Sequence, residues 1–347
     1  MTGRIFSFIL INTRLFLILI ALQLPWIVSG CARPSSGSIT PVSGGHPAPV
    51  AARLLKGVSL SPRSFGAADF TDFFEKARLT GQVISWAGDW NEVGMNNGGP
   101  KVVAELAPGY NLIPVIEVQF FDQASGKLLR PLDRTTLESY RSSIAAFAEK
   151  YRPAYLSIGI EVNILYEESP LDFDAFVTFF DEVHRDVKVN SPGTKVFTIF
   201  QLERMKGLNG GLFGGKNNPD KSEWALLERF PDSDVIAFTT YPCLVYRNPA
   251  DIPLDYYSEI KNHTDKPVIF TETGWHSAGS PAGWESSEAE QAEFVNRFFE
   301  LSADLNKEMV IWSFMFDPKA IGPFNSMGLV RRDGTVRPAW DAWIRDR

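Results

Sequence analysis

The chain has 347 residues, of which 44% are hydrophobic and 22% are charged, a composition typical of a globular protein. Its net charge of −7 and pI of about 5.3 exclude a strongly basic surface, so we do not expect a nucleic-acid partner. The four histidines show no ligand spacing, which argues against a histidine-based metal site, and we expect neither a metal nor a cofactor.

Residues 1–30 have the pattern of a secretory signal. Arg4 and Arg14 flank an apolar stretch whose core is 15–22, and small residues precede Cys31. A charged start, an apolar middle and small residues before a cleavage site are typical of a signal peptide. A transmembrane anchor is the alternative reading of this segment, although Pro25 interrupts the apolar run.

The ending Ser29-Gly30-Cys31 resembles a bacterial lipobox. The resemblance implies that Cys31 is lipidated and anchors the mature chain to a membrane through its acyl chains. Ala32, in place of an aspartate after the cysteine, favours the outer membrane by resemblance to lipoprotein sorting in enteric bacteria. We therefore expect a protein of the bacterial cell envelope, with its folded domain facing the periplasm or the exterior.

Residues 31–52 are rich in Pro, Gly and Ser and lack an apolar period, which predicts a flexible tether. The remaining segment, 53–347, reads as one folded domain without a convincing internal repeat. Cys243 is the other cysteine of the chain, so no disulfide can form if Cys31 is lipidated. We expect a monomer.

Short apolar runs and helical patterns alternate through this domain. The runs are rich in β-branched and aromatic residues and largely apolar on both faces, which is typical of parallel strands covered on both sides. Eight such runs predict strands at 54–60, 82–86, 112–118, 154–161, 195–200, 235–241, 267–271 and 309–316.

Three of the intervening helices have clear signals. Residues 133–151 carry an apolar stripe at helical spacing, and Asp172 is the expected N-cap of the next such stripe. Ser287 and Glu290 have the form of a capping box before a third stripe. The helices that follow the first, second, fifth, sixth and eighth predicted strands are shorter.

Eight strands in alternation with helices over about 290 residues predict an α/β fold, a single (β/α)8 TIM barrel. A doubly wound open sheet is the alternative. That fold usually has fewer strands, and no Gly-rich phosphate turn follows the first predicted strand.

Two glutamates stand where predicted strands end, namely Glu161 after the fourth and Glu272 after the seventh. In a (β/α)8 barrel the active site lies at the carboxyl ends of the strands, so both side chains are expected there. Paired carboxylates are what the cleavage of a glycosidic bond requires. Glu117 and Glu203 also lie near strand ends, and we expect them to be salt-bridge or hydrogen-bond partners, with substrate binding as the alternative for either residue.

The order of these motifs resembles the clan of retaining glycoside hydrolases built on this barrel. The segment 271–275, Thr-Glu-Thr-Gly-Trp, is similar to the nucleophile segment of plant-type β-1,3-glucanases and β-1,4-galactanases. The segment 240–242, Thr-Tyr-Pro, resembles the sixth strand of the galactanases, and 311–314, Ile-Trp-Ser-Phe, resembles the eighth-strand tryptophan segment. The resemblance covers roughly residues 54–347.

The resemblance implies a role for each residue. Glu272 would be the nucleophile and Glu161 the acid/base, and Tyr241 would orient Glu272. Trp312 would form the floor of the sugar site, and two further tryptophans at strand ends would serve neighbouring subsites, namely Trp86 and Trp275. Mutual repulsion should keep Glu161 protonated near neutral pH.

One position departs from the clan. An asparagine that bonds the sugar 2-hydroxyl usually precedes the acid/base glutamate, whereas Ile160 stands here. Asn163 lies three residues further on, so its side chain is expected to point elsewhere, although we keep it among the candidate substrate-binding residues because it follows the same strand.

Three functions are compatible with this pattern. The first is a membrane-anchored retaining glycosidase acting on a poly- or oligosaccharide, supported by the ordered set of residues at the strand ends. The second is a non-catalytic carbohydrate-binding lipoprotein on the same barrel, motivated by Ile160. The third is an envelope scaffold protein, which would require a large exposed apolar patch.

Overall fold

A computed structural model of the protein describes residues 54–279 and 283–345. Within these residues, nine parallel strands form one sheet: β1 (Leu55–Ser59), β2 (Val83–Asp89), β3 (Ile113–Gln119), β4 (Tyr155–Ile158), β5 (Lys195–Phe197), β6 (Ile199–Gln201), β7 (Ile236–Thr240), β8 (Val268–Thr273) and β9 (Lys307–Trp312). The sheet order is β5-β4-β3-β2-β1-β9-β8-β7-β6.

The two end strands of this order, β5 and β6, are halves of one barrel strand separated by Thr198. The first half pairs with β4 and the second half pairs with β7, so the sheet closes on itself with eight barrel strands. This closure confirms the predicted (β/α)8 barrel. All eight predicted strand positions correspond to observed strands.

The helices cover the outside of the barrel. They are α1 (Ala67–Thr80), α2 (Gly99–Leu106), α3 (Arg134–Tyr151), α4 (Val162–Glu168), α5 (Pro170–Asn190), α6 (Leu202–Met205), α7 (Glu288–Leu301) and α8 (Pro338–Arg345). Between β7 and β8, all of whose residues are described, short 3-10 turns replace an α-helix, at Pro242–Leu244, Pro249–Asp251 and Ser258–Asn262. The regular alternation of strand and helix is therefore interrupted once.

Two of the three helix-start predictions are confirmed. Asp133 caps α3 by accepting a hydrogen bond from the Thr136 amide at 2.9 Å, and Ser287 accepts one from the Glu290 amide at 3.2 Å. Asp172, however, is not an N-cap. Helix α5 begins at Pro170, so Asp172 lies in its first turn, where its carboxylate still meets the positive end of the helix dipole.

The apolar core has two layers. Alternate residues of each strand fill the barrel interior, among them Val115, Ile269 and Ile311. The intervening residues face the helices, as Phe270 does where it packs edge-on against Phe298 with ring centroids 5.2 Å apart. This alternation decides which polar side chains can enter the site at the carboxyl ends of the strands.

The predicted signal segment, the tether and Cys31 lie outside the described residues. Across 54–279 and 283–345, no helix is long and apolar enough to cross a bilayer.

Candidate active site

The site is built at the carboxyl ends of the barrel strands around two buried glutamates. Glu161 follows β4 and is 3% exposed, and Glu272 lies near the end of β8 and is 8% exposed. Between them stands Thr239 of β7, which is the register partner of Glu272 and donates a hydrogen bond of 2.7 Å to Oε1 of Glu161. The two predicted catalytic carboxyls are therefore brought to the same end of the barrel, joined through one threonine.

The backbone at Glu161 is unusual for a residue with a side chain. Its φ of 57° and ψ of 44° lie in the left-handed region, which costs roughly 1–2 kcal/mol for a non-glycine residue. Gly159, at φ 90°, makes the preceding turn, where a Cβ would meet Val162 and Phe176 at under 3 Å. The fourth strand therefore ends three residues earlier than predicted, and the chain turns sharply so that Glu161 enters the site.

Three neutral donors hold the Glu161 carboxyl. Besides Thr239, Gln201 Nε2 donates to Oε1 at 3.3 Å and Gln123 Nε2 donates to Oε2 at 3.0 Å. Burial raises the pKa of Glu161, whereas these hydrogen bonds and the charge of Arg204 oppose the rise. Gln201 keeps its own Oε1 buried and without a partner among the described residues, so this amide has an acceptor available beside Glu161.

A β-bulge aims Glu272 into the site. Because Ile269 points into the barrel, regular alternation would turn Thr271 inward and Glu272 outward. The register of β7 and β8 shifts at this point, from Phe238 opposite Phe270 to Thr239 opposite Glu272, so that the glutamate faces inward. Bulges next to active sites commonly redirect a side chain in this way.

Tyr241 orients Glu272, as the resemblance implied. Its hydroxyl donates to Oε2 of Glu272 at 2.5 Å and lies 2.7 Å from the Ser313 hydroxyl. Burial and then the negative charge of Glu161 raise the pKa of Glu272 to about 7, against the lowering effect of the Tyr241 hydrogen bond. The two glutamates are thus electrostatically coupled, as two buried carboxyls in one site should be.

Replacement of Tyr241 by phenylalanine (Y241F) should move the acid limb of kcat/KM to higher pH. The loss of its hydroxyl removes the donor that stabilises ionised Glu272, so the pKa of Glu272 rises, and any reaction that requires ionised Glu272 is then lost at a higher pH. A hydrogen bond to a charged group contributes about 1.5–3 kcal/mol, which corresponds to roughly a 10- to 100-fold loss of kcat/KM below the optimum.

The pH profile of kcat/KM measures this effect. Y257F is the matched control, because Tyr257 is an equally buried tyrosine of the same region whose hydroxyl contacts Thr240 and not Glu272. Equal profiles for Y241F and Y257F would contradict a role for Tyr241.

The predicted aromatic subsites are not found at the predicted tryptophans. The ring of Trp312 is 1% exposed, bonds the Met327 carbonyl at 2.8 Å and packs on Trp343 of α8. Trp275 is fully buried against Phe294 of α7. Both rings lie in the layer between the barrel and the helices and cannot present a face to a sugar.

Trp86 and Asn163 are also placed away from a substrate. Trp86 is 6% exposed, belongs to the helix-facing core and packs against the backbone of Gly99 in α2. Asn163 is fully buried and bonds the backbone of Gln201 twice, accepting from its amide at 2.9 Å and donating to its carbonyl at 3.2 Å. These two hydrogen bonds link α4 to β6, so the Asn163 side chain is not available to bind a sugar.

A different tryptophan lies in the loops at this end of the barrel. Every other tryptophan of the described residues is buried, whereas Trp284, in the loop after β8, is partly exposed. The guanidinium of Arg247 lies 5.4 Å from the centre of its ring, and the backbone of Gly211, in the long loop after α6, packs against its edge. Trp284 was not predicted as a site residue because it belongs to no strand.

Other contributors were also missed. Gln123 comes four residues after β3 and Thr239 stands inside β7, so neither position marks a strand end. Gln201 ends β6, and its place at a strand end was the one sequence feature that pointed to the site. Ile160, which replaces the usual asparagine, is 3% exposed and packs in the barrel interior.

Glu203 is confirmed as a hydrogen-bond partner and has no ion pair among the described residues. Its Oε1 accepts from the Tyr241 amide, the Thr240 hydroxyl and the Tyr256 hydroxyl at 2.7–2.9 Å, while Oε2 is buried without a partner. Burial raises the pKa of Glu203 to about 7.

The raised pKa of Glu203 predicts a pH-dependent stability. The folded protein holds this proton more tightly than the unfolded chain, so its stabilisation is complete below about pH 4.3 and is lost as the pH rises towards 7. The unfolding free energy of the wild type should therefore fall between pH 4 and pH 8. In Glu203→Gln (E203Q) this fall should be smaller by roughly 3 kcal/mol. Urea unfolding of both proteins at the two pH values measures this difference. An equal pH dependence of the two unfolding free energies would contradict a contribution from Glu203.

No group of three or more His, Cys, Asp or Glu among residues 54–279 and 283–345 could hold a metal ion. Cys243 is a buried free thiol. The polar groups that the structure gathers at the site are the carboxyls of Glu161 and Glu272, the Tyr241 hydroxyl and the side-chain amides around Glu161.

No family model matches the chain, and no curated protein matches it either. Several solved structures, however, do match the chain. A family 39 glycoside hydrolase from Bacteroides cellulosilyticus is 16% identical, with a TM-score of 0.60, over 84% of this chain and 62% of that one. For an exo-β-1,4-mannosidase from an Opitutaceae bacterium the identity is 13% and the TM-score 0.60, over 85% of this chain and 59% of that one.

Xylanase 10B from Thermotoga maritima is 12% identical, with a TM-score of 0.56, over 84% of this chain and 94% of that one. The chain spans about six tenths of the length of the other two structures. At these identities the likeness shows the fold, namely the barrel that glycoside hydrolases use.

Proposed function

We propose that this protein is a glycoside hydrolase that cleaves a poly- or oligosaccharide with retention of anomeric configuration. The observation that carries the proposal is the coupled pair of buried carboxyls at the ends of the fourth and seventh barrel strands, Glu161 and Glu272. The fold shared with glycoside hydrolases supports it. A β-bulge turns Glu272 inward, and Glu161 adopts a left-handed conformation, which is costly for a non-glycine residue, at the same end of the barrel.

The reaction follows the two-step retaining scheme. In the first step Glu272 attacks the anomeric carbon, the bond to the leaving oxygen breaks, and Glu161 transfers its proton to that oxygen. In the second step Glu161, now ionised, takes a proton from water, and the resulting hydroxyl attacks the anomeric carbon and frees Glu272. Tyr241 holds Oε2 of Glu272, which leaves Oε1 for the attack.

We propose that Trp284 and not Trp312 is the stacking residue for an outer sugar. Among the tryptophans that the structure describes, it is the one that is partly exposed, and its loop follows the strand that carries Glu272. Aromatic rings in clefts bind sugars through their apolar faces, and Arg247 already covers part of this ring.

The test is hydrolysis of a panel of aryl glycosides and oligosaccharides, followed by proton NMR of the anomeric signals. Retention requires that the first product has the configuration of the substrate. First release of the opposite anomer would replace the retaining scheme by an inverting one, in which Glu272 activates a water molecule. No release of reducing ends from any substrate would remove the proposal.

A second candidate is a non-catalytic carbohydrate-binding protein, favoured by Ile160. The position before Glu161 offers an apolar side chain turned into the barrel, so one donor to the sugar 2-hydroxyl is missing. This candidate predicts sugar binding by calorimetry without turnover and unchanged affinity in Glu161→Gln. Turnover of any bound sugar would exclude it.

We also propose that the protein is anchored to a bacterial membrane through lipidated Cys31. The proposal rests on the small residues before this cysteine and the apolar stretch that precedes them. Cys31→Ser should abolish the incorporation of labelled fatty acid, and any C31S protein from which the signal segment is cleaved should move from the membrane fraction to the soluble fraction. C243S is the control and should stay with the membrane. Membrane retention of cleaved C31S would contradict the proposal.

A further inference from the structure

The hydroxyl of Ser313 lies beside the residues that hold Glu272. Ser313 directly follows β9 and is 2% exposed. Its hydroxyl lies 2.7 Å from the hydroxyl of Tyr241, which directly follows β7. It also lies 2.9 Å from the carbonyl of Thr273, the last residue of β8 and the one after Glu272. One buried side chain therefore contacts both the hydrogen-bond partner of Glu272 and the strand that carries it.

The contact with Thr273 lies where the bulged end of β8 rejoins the sheet. The register of β8 and β9 shifts between Phe270 and Thr273, so two residues of β8, Glu272 among them, stand opposite one residue of β9. Beyond the bulge, the carbonyl of Thr273 accepts a hydrogen bond from the backbone amide of Ser313 at 3.0 Å. Because this amide already supplies the carbonyl with a donor, the sheet does not depend on the Ser313 hydroxyl there.

The contacts of the Tyr241 hydroxyl require a donor from Ser313. Each of the two hydroxyls carries one proton. Tyr241 donates its proton to Oε2 of Glu272, so it has none left for Ser313. Two hydroxyl oxygens 2.7 Å apart repel each other unless a proton lies between them, because their lone pairs then face each other. Ser313 must therefore turn its own proton towards Tyr241, while the Thr273 carbonyl keeps the Ser313 amide.

The ring of Tyr241 is fixed by packing, so Ser313 acts on the direction of its hydroxyl proton. The side chain is 1% exposed, and its ring meets that of Phe324 edge-on with centroids 5.2 Å apart. A Cβ at Gly274 would lie only 3.5 Å from the same ring. With the phenol oxygen held in place, Tyr241 can donate either to Glu272 or to Ser313, and a proton from Ser313 decides this in favour of Glu272.

We propose that Ser313 is a positioning residue for the proposed nucleophile, whose hydroxyl donates to Tyr241 and thereby commits the Tyr241 proton to Oε2 of Glu272. The catalytic consequence rests on the proposed function, whereas the hydrogen-bond chain does not. In such a chain each O–H polarises the next, so Ser313 strengthens the hydrogen bond from Tyr241 to Glu272. Ionised Glu272 gains more than the neutral acid, because hydrogen bonds to charged groups are about twice as strong as neutral ones. Ser313 therefore favours the form of Glu272 that can attack the anomeric carbon.

The test follows the ionisation of Glu272 directly and needs no turnover. Full-length protein is labelled with ¹³C at the glutamate carboxyls and titrated by NMR, and the Glu272 signal is assigned by its loss in E272Q. The variant S313A removes the hydroxyl but keeps the amide bond to Thr273, so it should fold. Y241F, the double variant of S313A with Y241F, and S313T, which keeps the hydroxyl, complete the set.

S277A is the matched control. Ser277 is 5% exposed in the loop after β8, and its amide and hydroxyl both bond the carbonyl of Ser326, at 2.9 and 2.7 Å. Ser313 bonds the carbonyl of Thr273 in the same way and adds the contact with Tyr241. S277A therefore removes a matching bond from a serine to a carbonyl and leaves the Tyr241 contact in place.

The proposal expects the titration midpoint of Glu272 to rise by about 0.5 pH unit in S313A, which is a roughly threefold lower ionised fraction at a given acidic pH. Y241F should raise the midpoint further, and S313A should add nothing in the Y241F background, because Ser313 acts through the Tyr241 hydroxyl. S313T and S277A should titrate like the wild type. The other ionisable groups coupled to Glu272, namely Glu161 and Glu117, are the same in all these variants.

Two results would overturn the proposal. A Glu272 midpoint in S313A that equals or falls below that of the wild type would show that Ser313 does not stabilise the ionised carboxyl. A rise in S313A that persists in the Y241F background, or that S277A reproduces, would show that Ser313 does not act through Tyr241. A protein that hydrolyses no glycoside but gives the expected titration would refute the proposed function and leave the action of Ser313 on Glu272 standing.

Discussion

Glu272→Gln (E272Q) is expected to abolish glycoside hydrolysis while the protein stays folded. The amide cannot attack the anomeric carbon, so no glycosyl-enzyme forms. Removal of the nucleophile from a covalent catalyst lowers kcat by roughly 10⁶-fold, and we expect a loss of that order here. Steady-state hydrolysis of the best substrate from the panel measures it, with circular dichroism to confirm the fold.

The matched control is E203Q, which makes the same substitution at another fully buried glutamate of the same barrel end. Glu203 Oε1 accepts from the Tyr241 amide and from the hydroxyls of Thr240 and Tyr256, and the Oε1 of a glutamine can accept the same three hydrogen bonds. Because Glu203 is also not among the groups that shift the pKa of Glu272, its replacement should leave hydrolysis intact. A fully active E272Q would refute the retaining mechanism. Equal inactivity of both variants would indicate a structural cause instead.

The barrel itself was predictable because its signals are local. Each strand is a short apolar run, and the caps at Asp133 and Ser287 mark helix starts through side-chain hydrogen bonds to nearby amides. The missing helix between β7 and β8 was not predicted, because the segment that replaces it is held by tertiary contacts, such as those of the buried Tyr256 and Tyr257 with the core.

The site could be predicted only in part, because successive side chains of a strand alternate between the barrel interior and the helices. Met309 and Ile311 point into the barrel, so Trp312 points outward to the helices, and its predicted role as a sugar floor was wrong. The same alternation, applied to β8, would have turned Glu272 outward and excluded it from the site. The bulge beside Thr239 reverses its direction, and no sequence signal for that bulge was available.

The residues that contact Glu161 could not be predicted from local sequence either. The sharp turn through Gly159 and the left-handed Glu161 bring Gln123, Gln201 and Thr239 around one carboxyl from three different strands or loops. Such a constellation depends on barrel closure, which fixes long-range distances that no local pattern encodes. Glu117 was expected to be a salt-bridge or hydrogen-bond partner, because a buried carboxyl without a partner is rare. Both of its carboxyl oxygens are buried without a hydrogen-bond partner or an ion pair among the described residues.

Glu161→Gln (E161Q) should slow hydrolysis in a way that depends on the leaving group. Substrates with alkoxide leaving groups need the proton of Glu161, so their kcat/KM should fall by about 10²–10⁴-fold. Aryl glycosides whose leaving groups are already acidic need little protonation and should lose far less. The ratio of the two losses, measured on a sugar and an activated aryl glycoside of the same type, reports the role of Glu161 as an acid.

The pH profile of E161Q gives an independent check. The charge of Glu161 raises the pKa of Glu272, so its removal should lower that pKa. Because Glu272 acts in its ionised form, the acid limb of kcat/KM on the aryl substrate should move to lower pH. E168Q, which changes an exposed glutamate at the end of α4, should alter neither the leaving-group dependence nor the acid limb. An equal loss on both substrates with an unmoved acid limb would mean that Glu161 supports the fold and takes no part in proton transfer.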